Sequence, residues 1–393
     1  MQETLRWFGP NDTVSLENIS QAGANGVVTA LDHIKTGDVW SVEEIKKRKK
    51  DIESYGLTWA VIESIPVHND IKTRTGNFKE YIDNYKKSIE NVGKAGVGLI
   101  CYNFMAVLDW TRTNLRYELP NKSLALRFDI TDFAAYDIFI LKRKDAKKNY
   151  GSKIYKKAEI VFNQFDENYI KKLENNIISG LPGGEGTYSR DEIILEIEKF
   201  TKLGTEGYRQ NLFSFLKEVI PIAESSKVKM CIHPDDPPFS LFGLPRIVSS
   251  ASDIRKLLNS FPSNYNGLTM CVGSYGAGSH NDLIKIIKEF RKNIHFAHLR
   301  NIIKEADGSF YESDHLAGDN DMYEIIKEIL FEEKARSKIG GREIIPIRPD
   351  HGHLIGDEVY KKNINPGYSY GGRLKGLGEL RGVIYTLEKM ECH

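Results

Sequence analysis

The chain has 393 residues, 40% hydrophobic and 28% charged, which excludes disorder and suits a globular protein able to bury a large core without disulfides. Its 55 Lys and Arg against 54 Asp and Glu leave a net charge of +1, so there is no global basic field for nucleic acid and no acidic tail. Four scattered cysteines (Cys101, Cys231, Cys271 and Cys392), an N-terminus MQETLRWFGPNDTVSL without a signal-peptide pattern and no apolar run near the ~18–20 residues of a membrane span point to a reducing, cytoplasmic setting.

In chain order, the first β-rich apolar run is Leu5–Phe8 and the second Gly26–Leu31. Ser41 opens a capping box, SVEE, for a helix through Lys50. The basic run Lys46–Lys50 within it reads as a solvated helix face, with Glu43, Glu44 and Asp51 beside it, and not as a nucleic-acid patch. Thr58–Ser64, a helix over Phe78–Val92 and Gly98–Phe104 follow. After a long interval come helices over Arg190–Leu203 and Arg209–Ala223, then the run Val228–Pro234. Leu268–Gly273, Ile294–Leu299 and Ile344–Arg348 complete the set, with helices over Ser252–Asn259, His280–Phe290, Asp319–Phe331 and Leu374–Glu388. The eight runs are nearly continuous in apolar residues, as strands buried on both faces are. Alternation with amphipathic helices predicts a (β/α)₈ TIM barrel, a single domain over residues 1–393. A barrel needs ~250 residues. The surplus falls mainly between the fourth and fifth strands, from about 105 to 186, and is expected to be an α-helical insertion or lid. The glycine clusters GLPGGEG (Gly180–Gly186) and GSYGAG (Gly273–Gly278) match no phosphate-binding fingerprint. They read as a flexible loop or a close backbone approach.

Barrels of this kind build function at the C-terminal ends of the strands. Four consecutive ends carry His233, Cys271, His298 and Asp350. Imidazole, thiolate and carboxylate are first-row metal ligands, and four of them leave room for a substrate. Their separations are too long for a zinc finger or ribbon and suit one ligand per βα unit. Taken singly, each could be a packed core residue. Cys231, two residues before His233, points the same way one layer deeper and reads as core, and His295 as core or as support for a ligand. The other strand ends add Trp7, His33, Glu63 and Asn103 to the rim. Glu63 and Asn103 either cap strands or contact substrate hydroxyls, the second reading being favoured.

The stretches LRWFGPNDTVSL, IHPDDPP (Ile232–Pro238), MCVGSYG (Met270–Gly276), HFAHLRN (His295–Asn301), RPDHGH (Arg348–His353) and GYSYGGRLKGLGELRG (Gly367–Gly382) resemble the mannonate dehydratases, and the resemblance runs through essentially the whole chain. It implies a xylose-isomerase-like barrel and dehydration of D-mannonate to 2-dehydro-3-deoxy-D-gluconate in hexuronate (glucuronate) catabolism. It further implies one Mn²⁺ or Fe²⁺ held by His233, Cys271, His298 and Asp350, with His351 and Tyr368 as the acid–base pair. A thiolate ligand alone would have suggested zinc.

Such a dehydration removes the C2 proton, α to a carboxylate, and expels the C3 hydroxyl. A divalent ion on the carboxylate and the C2 hydroxyl offsets the developing charge, and no organic cofactor is needed. Sequence leaves open which of the pair is base, and Tyr368 as base with His351 as acid is the working assignment. Arg300 and Arg348 either hold the substrate carboxylate in fork geometry or form structural ion pairs at the rim. A metal-dependent sugar isomerase or epimerase on the same barrel, an endonuclease acting on abasic DNA, and a non-catalytic sugar-acid sensor are the rival readings. The expected partner is a small-molecule substrate, with neither nucleic acid nor membrane. A homodimer is the default assembly.

Overall fold

The computed structural model describes residues 1–178, 189–339 and 344–390. All eight apolar runs become strands of one closed parallel barrel: β1 Gln2–Arg6, β2 Gly26–Thr29, β3 Thr58–Glu63, β4 Leu99–Tyr102, β5 Lys229–Ile232, β6 Asn266–Cys271, β7 Ile294–His298 and β8 Pro346–Arg348. Each pairs with its sequence neighbours, and β8 closes on β1 through Gln2–Pro346 and Glu3–Ile347. The first strand starts earlier than its aromatic residues suggest. Trp7 and Phe8 already belong to the loop, where Gly9 turns the chain (φ 89) and Asp12 accepts from the Phe8 amide at 2.8 Å.

Side chains two apart on a strand share a face, and that rule stacks the barrel interior in layers. Val28, Val61, Leu99, Cys101, Cys231 and Phe296 form one buried apolar cluster. Glu63, His233, Cys271, His298 and Arg348 lie one step further along their strands, toward the C-terminal mouth. The opposite faces of the strands join the large core shared with the surrounding helices. His295 is there, against Gly267, so it is a core residue and not a support of the rim.

The stretch between β4 and β5 is not wholly helical, contrary to expectation. It opens with an antiparallel hairpin, Asn114–Glu118 and Leu124–Phe128, and only then turns to helices Ile130–Ala135, Ser152–Phe162 and Glu167–Ile178. That hairpin pairs with a second one, Ile302–Lys304 and Phe310–Glu312, in the loop after β7, making a four-stranded sheet beside the barrel mouth. Arg127 clamps the two with bidentate bonds to Glu305 of 2.6 and 2.8 Å. Leu124 and Leu354 exchange backbone bonds of 3.0 and 2.9 Å, tying the sheet to the loop after β8.

The two helices expected after this stretch are present within Arg190–Ser225, separated at Gly204, whose backbone (φ 62, ψ 178) is not helical. In the helix Val42–Glu53, Lys46, Lys47 and Lys50 are solvated as expected. Arg48 instead is buried over the Trp7 ring and donates to the Ala30 carbonyl at 2.9 Å. No helix among the described residues is long and apolar enough to cross a membrane.

The cluster GLPGGEG lies outside the described residues. GSYGAG is a close backbone approach: it forms a short buried helix, Val272–Ala277, on which Arg300 and Asn320 rest. A Cβ on Gly273 would sit 2.7 Å from Arg300 Cγ. Gly273→Ala is therefore expected to destabilise the fold by about 1–3 kcal/mol through overpacking, read as a drop of several degrees in Tm. An unchanged melting curve would show that Arg300 has slack.

Candidate functional site

His233 follows the last residue of β5, Cys271 ends β6 and His298 ends β7. The barrel brings these three together: one ligand atom from each lies within 4.8 Å of the others. His233 Nε2 faces His298 Nδ1 at 3.2 Å, and Ser274 Oγ donates to Cys271 Sγ at 3.0 Å. His233 Nδ1 rests 2.7 Å from the Pro234 carbonyl. Such backing assigns the proton to Nδ1 and turns the Nε2 lone pair toward the pocket, the arrangement typical of a ligating imidazole.

The donor set fits a metal ion. His298 Nε2 is buried without a hydrogen-bond partner, its nearest oxygen being Glu63 Oε1 at 3.5 Å. Burial works against charge on His233, yet Cys271 beside it, with Glu63 and Asp236, outweighs burial and raises its pKa to about 9. Positive charge is therefore favoured at this point, and a cation would take the place of that proton. His298, by contrast, is held well below the ordinary histidine range by burial and by Arg348.

Asp350 stands beside the trio and outside its mutual contacts. Its Oδ2 is 3.8 Å from His298 Nδ1, while Arg300 Nε and Arg348 each hold the carboxylate at 2.9 Å. Although burial opposes ionisation, Arg348, His351, His298 and Arg300 keep it a carboxylate, far below the usual range. Next to it, His351 Nδ1 is 3.1 Å from Glu312 Oε1, and its ring meets Trp110 and Tyr368 edge-on at 6.0 and 5.2 Å. The Tyr368 hydroxyl donates to Asp350 Oδ1 at 3.5 Å and accepts from Arg348 at 3.4 Å. Burial, then Asp350 and Glu63, push its pKa above the ordinary phenol value despite Arg348.

Of the six residues expected to meet substrate, four stand at this mouth and two do not. Glu63 Oε1 accepts from Arg348 at 3.1 Å, and its buried Oε2 has no partner. Asn103 is half-buried one residue beyond β4, and no described residue hydrogen-bonds to its amide. Arg348 spans Glu63, Asp350 and Tyr368. Arg300 is spent on Asp236, Glu312, Asp350 and Ser274, the structural-ion-pair alternative. Trp7 is packed in the core beneath Arg48. His33, 52% exposed, pairs with Glu44 at 2.9 Å and lines a cleft of about 500 Å³ with Phe8, Asp32 and Arg48.

Glu312, Asp236 and Arg112 escaped the sequence reading. Asp236 had a signal, since it lies in the polar run after His233. Glu312 and Arg112 had none, because each meets its partners across more than a hundred residues or through a hairpin that local pattern does not reveal.

A family model described as D-mannonate dehydratase (UxuA) matches residues 1–393. The mannonate dehydratase of Saccharophagus degradans is 61% identical over 392 residues, covering 100% of this chain and 99% of that protein. The crystal structure of mannonate dehydratase from Streptococcus suis serotype 2 superposes with a TM-score of 0.77 at 34% identity, over 100% of this chain and 96% of that one. A xylose isomerase domain protein from Planctomyces limnophilus shares the fold alone, at a TM-score of 0.51 and 8% identity over 99% of this chain and 98% of that one.

If His233, Cys271 and His298 hold a metal ion, removing one of them should cost more than the about 10–100-fold in metal affinity lost with an outer partner. Cys271→Ala and His233→Ala are therefore expected to leave gel filtration without stoichiometric divalent metal. His33→Ala should retain it. Elemental analysis of the three proteins checks both halves.

Proposed function

The chain belongs to the D-mannonate dehydratase family, and from that premise we infer that its barrel mouth dehydrates D-mannonate to 2-dehydro-3-deoxy-D-gluconate. As a hydro-lyase it acts on a small molecule and needs no organic cofactor. The observation that carries the reading is the convergence of His233, Cys271 and His298 directly beside Asp350, His351 and Tyr368.

We assign the ion as Mn²⁺ or Fe²⁺, held by His233, Cys271 and His298 with Asp350 as the adjoining carboxylate. When bound, it supplies the Lewis acidity that offsets charge developing on the substrate carboxylate as C2 loses its proton. The remaining work falls to side chains. His351, held at Nδ1 by Glu312, has Nε2 to accept the C2 proton. Tyr368 keeps its proton, since burial raises its pKa and its hydroxyl already donates to Asp350. It is therefore placed to protonate the departing C3 hydroxyl.

This reverses the working assignment drawn from sequence, and the reason is electrostatic. A buried phenol facing two carboxylates rests in its protonated form, which suits a proton donor and not a base, and that leaves His351 as the base. Glu63, with its free Oε2, and Asn103 are the candidates for substrate hydroxyls. Arg348 is the candidate for the carboxylate. Arg300 holds Asp350 and Asp236 in place.

Chelator-treated protein is expected to lose D-mannonate turnover and to regain it with Mn²⁺, followed by appearance of the 2-keto product. Turnover indifferent to the chelator would reject the metal's part. Tyr368→Phe should lower kcat by ~10²–10⁴, the usual contribution of a general acid, with metal content intact. A fully active variant would remove Tyr368 from the chemistry.

A further inference from the structure

We propose that Glu312 is the positioning residue of His351, fixing its proton on Nδ1 and so keeping Nε2 open toward the substrate. The inference rests on the reading that His351 takes part in proton transfer.

The argument begins with hydrogen-bonding capacity. An ionised carboxylate only accepts. Glu312 is ionised, its pKa lowered to about 2 by Arg300, His351 and Arg112 even though burial opposes this. Its Oε1 accepts from Arg300 at 2.6 Å and from Arg112 at 3.0 Å, and it lies 3.1 Å from His351 Nδ1. At that contact the imidazole is the donor, so in neutral His351 the lone pair is on Nε2.

Rigidity follows from what surrounds the pair. Both residues are buried, at 3% and 5% exposure. Glu312 ends the strand Phe310–Glu312, and its carbonyl accepts from His353 Nε2 at 3.0 Å, which ties the hairpin to the loop carrying His351. The His351 ring lies between Trp110 and Tyr368, and Gly367 makes room for it: a Cβ there would be 3.0 Å from His351 Cδ2. The imidazole thus has one orientation and one tautomer. Neither arginine is needed for that effect, although both hold the carboxylate still.

Glu312→Gln tests the claim, since it preserves shape while allowing an amide N–H to face Nδ1. The expected result is a fall in kcat of about 10–100-fold, the usual cost of losing an outer partner. KM for D-mannonate and metal per chain should stay within about twofold, a split that loss of scaffold would not give. In ¹⁵N-histidine-labelled protein loaded with Zn²⁺ as a diamagnetic probe, the resonance missing from His351→Ala should report Nδ1–H in the parent protein. Nε2–H should gain population in Glu312→Gln. Wild-type kcat in that variant, loss of metal together with activity, or Nε2–H in the parent protein would each overturn the proposal. If His351→Ala itself turns over at the full rate, the acid–base role of His351 fails instead. Glu312→Gln at full rate beside a crippled His351→Ala sinks only the positioning role.

Discussion

Arg112, Arg300 and Arg348 are buried, and each is gripped by at least two carboxylates: Asp236 and Glu312 on the first, Asp236, Glu312 and Asp350 on the second, Asp350 and Glu63 on the third. The result is a continuous ladder of alternating charge across the barrel mouth. Its members come from five places in the chain: the end of β3, the stretch before the first hairpin, the loops after β5 and β7, and the end of β8 with the residues just after it. Such a ladder is a poor source of net stability, because taking each ion from water costs several kcal/mol. Its effect is registration. Once the charges are dry, withdrawing one partner strands the others at about 3–5 kcal/mol, so the five segments settle in one mutual arrangement or not at all. Three guanidiniums also face four carboxylates, and a thiol stands beside them. That excess of negative charge is a further reason for a cation to be favoured at His233, Cys271 and His298.

Below the ladder, depth along a strand decides what a side chain does. Cys231 and His233 share a face of the same segment, as do Phe296 and His298 in β7. The deeper member of each pair is in the apolar cluster with Cys101, and the upper one is in the His233, Cys271 and His298 cluster at the mouth. Cys101 and Cys231 sit against Thr269 at 3.1 and 3.2 Å, and both are fully buried. Burial drives the Cys101 thiol well above its ordinary range, so it stays a neutral core residue. Chemically identical thiols one layer apart therefore have different surroundings, and the barrel's period of two separates them.

That same rule explains what was legible in the sequence. The eight strands could be found because parallel strands buried on both faces read as continuous apolar runs. The clustering of His233, Cys271 and His298 could be anticipated because each stands within two residues of the end of such a run. Trp7 and His33 could not be placed the same way. Trp7 follows Arg6 by one residue, so it faces the opposite side of the wall, and His33 lies four residues past β2, beyond the reach of strand geometry. The hairpins were hidden for a different reason. Asn114–Glu118 is half-exposed throughout and pairs through Leu124–Phe128 with a hairpin nearly two hundred residues away. Glu312 inherits that invisibility, since only the fold brings it to His351.

One backbone detail lets β8 deliver two functional groups at once. Neighbouring residues on an extended chain point to opposite sides, which would place Asp350 at the pocket and turn His351 away. Asp350 instead adopts the left-handed region, φ 67, where aspartate is among the less disfavoured residues yet still pays of order 1 kcal/mol. The turn breaks the alternation, so that Asp350 reaches His298 and the arginines while His351 reaches Glu312 and Tyr368. The returning loop secures the arrangement. Gly352 takes a backbone bond to Gly367 at 2.8 Å, Ser369 Oγ donates to the His353 carbonyl at 2.7 Å, and Arg373 reaches the Arg6 carbonyl at 2.6 Å. The long motif from Gly367 is thus mostly scaffold. Its glycines and Arg373 hold one tyrosine hydroxyl against one carboxylate, and the cost of the strained aspartate is offset by the two guanidiniums that keep it there.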